Sequence, residues 1–146
     1  MGEKRNSGRI LAVDWGEKRI GIAISDETQT LARPLFVVKS SSRKENAERV
    51  AEIAQSNDPH EIIVGVTYDS DGNPTPTGRR AHRFAKVLAT MVSCNVETVD
   101  EGRSTRIAKR NKILSGSTRK KRKGHLDAEA AAVILQQHLE ERRFDG

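Results

Sequence analysis

The chain has 146 residues, with 26 Lys+Arg against 20 Asp+Glu for a formal net charge of +6, and only 3% of its residues are aromatic. That length suits one domain with an aliphatic core. The single cysteine, Cys94, excludes an internal disulfide framework and a multi-thiolate zinc site. No stretch approaches the ~20 apolar residues of a membrane helix, and Met1 to Ser7 lacks the apolar segment of a signal peptide. The expectation is a cytoplasmic protein with no membrane partner, whose basic balance favours a polyanion.

Residues 1–8 read as a flexible tail, 9–143 as one folded domain and 144–146 as a second short tail. Ile10 to Val13 is a continuous apolar run, the mark of a strand buried on both faces. A polar turn, Asp14 to Lys18, leads to a second run, Ile20 to Ile24, and the pair reads as a hairpin. Ser25 to Thr30 turns again before a third strand at Leu35 to Val38. The period then changes: Ala47, Val50, Ala51 and Ala54 predict a helix over Arg43 to Gln55, ended by Asp58-Pro59. Ile62 to Val64 is a short buried strand ending at Gly65, and Thr67 to Gly78, rich in Gly, Pro and Asp, reads as a loop. Ala81, Phe84, Ala85, Leu88, Met91 and Val92 mark an amphipathic helix, and Val96 to Val99 a fifth strand. A helix over Ser104 to Leu114 and a basic loop over Ser115 to Gly124 precede a last helix from about His125 to Arg142.

A strand–helix–strand connection of this length is parallel and right-handed. Strands one, four and five therefore run parallel, with the first hairpin adding antiparallel neighbours. The expected fold is α/β: a three-layer domain with a five-stranded mixed sheet and helices on both faces.

Ligands of such sheets sit outside the carboxyl ends of the parallel strands. Asp14 follows strand one there, Gly65 to Thr67 follows strand four, and Asp100 and Glu101 follow strand five. Asp127 lies 4, 7 and 8 residues before Ala131, Ile134 and Leu135, on the apolar stripe of the last helix. Three carboxylates brought together repel unless a cation neutralises them, and hard oxygen ligands suit Mg2+ or Mn2+. Two such ions can clamp a phosphodiester, one preparing water and the other stabilising the departing 3′-oxygen. Each acid also has a plain reading. Asp14 can be a turn residue, Asp100 and Glu101 a helix N-terminal pair, and Asp127 a cap.

From Gly102 to Leu126 there is no Asp or Glu, yet the stretch holds 10 of the 26 Lys and Arg residues. Beside an acidic metal centre, such a tract fits a nucleic-acid backbone; its plain reading is a solvated charge run. Arg79, Arg80 and Arg83 form a smaller cluster, and the few aromatics argue against reading splayed bases. Arg19 and Thr67 are open between substrate contact and a local role, and Cys94 and His138 read as packing residues. His125 can touch the site, and Trp15 can be packing.

Asp14-Trp15-Gly16-Glu17-Lys18-Arg19-Ile20-Gly21-Ile22-Ala23 resembles the D-x-G-x-K-R-I-G-x-A signature of the YqgF/RuvX family. Ile63-Val64-Gly65-Val66 with Asp71-Gly72, Asp100-Glu101-Gly102-Arg103-Ser104-Thr105, and Asp127-Ala128 through Ile134-Leu135-Gln136 resemble its later blocks, in order and over nearly the whole chain. Gly102 stands where the family has Arg, and Val66-Thr67 where it has Leu-Pro. The resemblance implies an RNase H-like fold and a metal-dependent nuclease maturing the 5′ end of pre-16S ribosomal RNA. An older description of the family, resolution of Holliday junctions in branched DNA, is the alternative. By the motif match the resemblance implies Asp14, Glu101 and Asp127 as catalytic metal ligands. Lys18, Arg19, Arg103, Arg119, Lys120, Lys121, Arg122 and Lys123 are the expected nucleic-acid contacts, with structured RNA in a ribosomal precursor as partner and the protein a monomer or weak homodimer. Two other classes are weighed: a non-catalytic RNA-binding assembly factor, and an actin-like nucleotide-binding ATPase or kinase, against which the chain is too short for two lobes and carries no P-loop of the G-x-x-x-x-G-K-[ST] type.

Overall fold

The computed structural model describes residues 8–101 and 126–145, with side chains in the second stretch described for residues 128–142. Among the described residues five strands, β1 (Ile10–Asp14), β2 (Arg19–Ser25), β3 (Ala32–Lys39), β4 (Glu61–Val66) and β5 (Asn95–Asp100), form one mixed sheet of order β3-β2-β1-β4-β5, accompanied by three helices, α1 (Arg43–Asn57), α2 (Pro76–Ala89) and α3 (Leu126–Asp145). β1 pairs parallel with β4, and β4 with β5, while β1–β2 and β2–β3 are antiparallel, as expected from the crossover connections.

Alternation along the strands divides the core in two. Leu11, Val13, Ile20, Ile22, Ile62, Val64 and Val66 pack with Val50 of α1 and Phe84 and Leu88 of α2. Ile10, Ala12, Ala23 and Ile63 pack with Ala131, Ile134, Leu135 and Leu139 of α3. The central strands are apolar throughout because both faces are covered. α3 is fixed against the hairpin by Gln136, whose Oε1 accepts from the Ala32 N–H (2.9 Å) and whose Nε2 donates to the Thr30 carbonyl (3.0 Å).

Local chemistry sets the ends of the helices. Ser42 caps α1, its hydroxyl accepting from the Glu45 N–H (3.2 Å), and Asp58 ends it in the left-handed region at φ 45° with Pro59 beyond. α2 begins five residues before the first apolar marker, Ala81. Thr75 is its cap and Pro76 fills its first turn, so the loop expected over Thr67 to Gly78 stops at Thr75. Met91 and Val92, expected on that helix, follow its end at Ala89. β3 is longer than the Leu35–Val38 run because its ends pair with β2 through a register shift at Ile22/Ala23. The expected helix over 104–114, the basic loop over 115–124 and the tail over 1–7 lie outside the described residues. No helix among the described residues is long and apolar enough to cross a membrane.

Candidate metal and nucleic-acid site

The parallel topology brings the ends of β1, β4 and β5 to one edge of the sheet. Asp14 is the last residue of β1, and Glu101 follows β5, its N–H donating to the Val66 carbonyl at 3.0 Å and so continuing the ladder by one residue. Ile10 and Ala12 face α3, so Asp14 does as well; Val99 packs on the same face, so Glu101 shares it and Asp100 takes the other. This parity decides between the two adjacent acids. The side chain of Glu101 reaches Asp14 and hydrogen-bonds with it.

Gly65, on β4 between them, makes the meeting possible. A Cβ there would stand 2.4 Å from Oε2 of Glu101, 3.1 Å from its Cβ and 3.0 Å from Cδ1 of Ile134. The Glu101 carboxyl thus rests on bare backbone with α3 above it. Burial pushes its pKa up, the hydrogen bond from Asp14 opposes that rise, and the Asp100 charge adds to it. Oε2 is buried with no hydrogen-bond partner among the described residues.

Two adjacent acids, one with an orphaned buried oxygen, are a donor set for a hard divalent cation. A carboxylate pair this close either shares a proton or surrounds a positive charge. α3 completes the geometry. Its C-terminal Arg142 pairs with Glu61 at the start of β4, and Ile134 lies over Gly65 near the strand's end. The helix therefore runs antiparallel to β4, and its first turn, which contains Asp127, is directed to the same edge. The side chain of Asp127 lies outside the described residues. Among the described residues two of the three expected ligands are brought together, and no group of three His, Cys, Asp or Glu forms.

The β1–β2 turn carries Lys18 and Arg19 at this edge, and the Lys18 carbonyl accepts from the Ser40 N–H (2.9 Å). Glu17 of the same turn is ion-paired with Arg80 of α2. Arg79 donates to the Pro74 carbonyl (3.2 Å). Thr67 serves a local role: its carbonyl accepts from the Thr75 N–H and its hydroxyl bonds that of Thr75, closing the loop before α2. Arg103, Arg119, Lys120, Lys121, Arg122, Lys123 and His125 lie outside the described residues. Trp15 packs against the α1/α2 core, Cys94 adjoins that core just before β5, and His138 is half-buried on α3, its Nε2 lacking a hydrogen-bond partner among the described residues. Sequence reasoning placed Gly65 at the end of strand four but missed it as the floor beneath the Glu101 carboxyl; only the strand register reveals that.

The family model described as "RuvX: Holliday junction resolvase" matches residues 8–141. A protein of Bordetella petrii is 39% identical over 131 residues (90% of this chain, 94% of its own), and one of Endomicrobium trichonymphae 37% identical over 133 residues (90% and 95%). Both bear the name "Putative pre-16S rRNA nuclease". Among solved structures, Thermus thermophilus RuvC in complex with Holliday junction substrate superposes with a TM-score of 0.58 at 16% identity, over 92% of this chain and 95% of that one. The fowlpox virus Holliday junction resolvase gives 0.55 at 19%, over 91% and 99%. At such identities the likeness is one of fold, and it agrees with the expected RNase H-like α/β architecture. The RuvX match spans nearly all of the sequence and both of the carboxylates that meet over Gly65: the chain belongs to the RuvX family.

Proposed function

We propose that this protein is a metal-dependent nuclease that hydrolyses phosphodiester bonds in structured RNA, maturing the 5′ end of pre-16S ribosomal RNA. The observation that carries the reading is the Asp14–Glu101 pair seated over Gly65, with one buried oxygen that has no hydrogen-bond partner among the described residues. Asp14, Glu101 and Asp127 would hold Mg2+ or Mn2+, which when bound supplies an activated water and charge stabilisation for the departing 3′-oxygen. The chain's own part is positioning. The strand ends fix two carboxylates, the bare backbone of Gly65 lets them approach, and Ile134 and Val99 wall the inner side with apolar surface. Lys18 and Arg19, with Arg103 and Arg119 to Lys123, would hold the substrate backbone. The expected products carry 5′-phosphate and 3′-hydroxyl ends.

The relatives' names support ribosomal RNA as substrate; the family description supports branched DNA as a second reading. A single experiment addresses both. Wild type and Asp14→Asn are each incubated with a precursor-rRNA leader and with a four-way DNA junction, in Mg2+ or Mn2+, and binding and cleavage are followed. Wild type should cut, and Asp14→Asn should bind equally or more tightly without cutting. Unchanged metal-dependent cleavage by Asp14→Asn would overturn the site assignment. Binding without cleavage by wild type would leave an RNA-binding assembly factor.

A further inference from the structure

α2 carries its charges on one side. Ala81, Phe84, Ala85 and Leu88 are buried against the sheet, while Arg79, Arg83 and Lys86 recur at i, i+4 and i+7 on the opposite, exposed side. We propose that this outer face of α2 is a docking surface for the phosphate backbone of a double-stranded RNA arm, the part of the substrate that runs away from the cut over the α1/α2 layer. The inference rests on the nuclease reading above and adds to it a surface beyond the catalytic edge.

The charges stand where the helix itself disfavours them. α2 has four cations, Arg79, Arg80, Arg83 and Lys86, and no Asp or Glu. Their spacings of three and four residues set like charges side by side, which weakens a helix. Arg79 and Arg80 lie in its amino-terminal half, with no acid in the first turn to complement the dipole. α1, in the same layer, is built the other way: Lys44 precedes Glu48 by four residues, and Glu45 precedes Arg49 by four. Solvation alone therefore does not require a single sign of charge on this layer. A local choice that opposes folding marks a surface kept for a partner.

The cations are also available. Arg80 is ion-paired with Glu17, and Arg79 donates to a neutral carbonyl, that of Pro74. Among the described residues no acid is ion-paired with Arg83 or Lys86. A row of fixed cations matches a polyanion. Phe84, the only Phe, Tyr or Trp of α2, is 0% exposed, so the face offers no such ring on which a base could stack. Backbone contact remains, which suits a duplex whose bases are paired with each other. Arg79 to Lys86 spans about 10 Å of helix, roughly three nucleotides of axial rise along one strand.

The surface is continuous with the site. α2 starts where β4 ends, at the carboxyl edge, and its first turn is seated closely there: a Cβ on Gly78 would stand 2.3 Å from the Thr67 carbonyl oxygen. The Arg80–Glu17 pair ties α2 to the β1–β2 turn that carries Lys18 and Arg19. From that rim the cations lead along α2 towards the amino edge.

The test measures binding in the Asp14→Asn protein, by fluorescence anisotropy across a salt series. The probes are a precursor-rRNA stem with long duplex arms on both sides of the cut, the same stem with its arms cut back to a few base pairs, and a four-way DNA junction. Arg83→Gln with Lys86→Gln should weaken binding of the long-armed stem about tenfold and lower the salt slope by about two. The short-armed stem should be unaffected. Arg83→Lys should keep most of the affinity, because a phosphate contact needs the charge. Arg33→Gln, an exposed cation on β3 at the amino edge, should change nothing. The Tm of the double variant should match or exceed that of the parent, since like charges are removed from one helix face. Unaltered affinity and slope in the double variant, or an equal loss in Arg33→Gln, overturns this surface while the nuclease reading stands. An equal loss on the short-armed stem overturns its placement away from the cut, and a loss confined to the DNA junction overturns RNA as its occupant. Failure of the parent to bind any probe overturns the surface and the nuclease reading together.

Discussion

Two glutamates lie on the same face of the sheet, at opposite ends, one buried and one half-buried with a buried carboxyl oxygen, and they are stabilised in different ways. Glu61, at the start of β4 and 7% exposed, is ion-paired with Arg142 of α3. Glu101, after β5, has acids beside it: Asp14 bonds it, Asp100 repels it, and its Oε2 has no hydrogen-bond partner among the described residues. Burying a carboxylate is costly unless a cation and hydrogen bonds offset the lost hydration. At the amino edge the fold supplies that cation from its own chain. At the carboxyl edge the described residues supply more negative charge instead, a local conflict of the kind that marks a functional site. The compensated and the uncompensated glutamate are thus separated along one sheet face by about the length of a strand.

The sharpest way to break this comparison is to neutralise each glutamate in turn. Glu101→Gln should remove several kcal/mol of transition-state stabilisation, on the order of 10³-fold in cleavage rate. Its Tm in chelator should stay at or above that of wild type, since a repelled buried charge is gone. Glu61→Gln should do the reverse, keeping cleavage and losing stability. A partner left without its counter-charge costs about 3–5 kcal/mol when fully buried. The Arg142 side chain is 32% exposed, so solvent screening reduces the expected loss to about 1–3 kcal/mol. Denaturant melts and single-turnover cleavage of both variants give the four values. Loss of stability in Glu101→Gln, or loss of cleavage in a folded Glu61→Gln, would show that the two edges do not divide the work.

Gly65→Ala probes the same edge without touching a charge. The new methyl would meet the end of the Glu101 side chain at 2.4 Å. A side-chain end can swing away at little cost, so stability should fall by no more than about 1 kcal/mol. The carboxylate, however, is displaced, and a misplacement near 1 Å can cost about 10²-fold in rate. Cleavage kinetics beside a thermal melt distinguish this from ordinary unfolding: a large Tm drop with proportionate activity loss would mean that Gly65 serves packing alone.

Much of this contrast is legible in the sequence. The apolar runs Ile10 to Val13 and Ile62 to Val64 announce strands buried on both faces, and the connection rule then orders β1, β4 and β5. Asp14 and Glu101 come to one edge as a consequence. What the sequence leaves open depends on parity and register. Asp100 and Glu101 differ by one residue, and a one-residue shift exchanges the two faces of a strand. Lys39 faces Arg19 only because a register shift displaces half of the β2–β3 pairing. The role of Gly65 depends on a side chain from the neighbouring strand, 36 residues away in the sequence. The start of α2 is different: Thr75 and Pro76 are cap and first-turn signals, but the surrounding Gly72, Pro74 and Gly78 obscure them as loop residues.

The smallest expected effect lies at the amino edge, where His138 of α3 sits near Glu61 and Arg142. Burial lowers its pKa below the usual 6.5, with Arg142 lowering it further and Glu61, Glu97 and Glu141 opposing. The folded protein therefore favours neutral imidazole, and the unfolded chain takes up the proton more readily. Stability from this group is complete above pH 6.5 and declines as pH falls from there through the lower folded value. His138→Gln should flatten that part of the pH–stability curve while leaving cleavage at neutral pH unchanged, because the residue lies at the edge away from Asp14 and Glu101. Urea midpoints of wild type and variant between pH 7.5 and 5, taken in ~0.5-unit steps, would show the difference. A variant curve parallel to that of wild type would place the acid sensitivity elsewhere, and the amino edge would then contribute its ion pair without a titrating histidine.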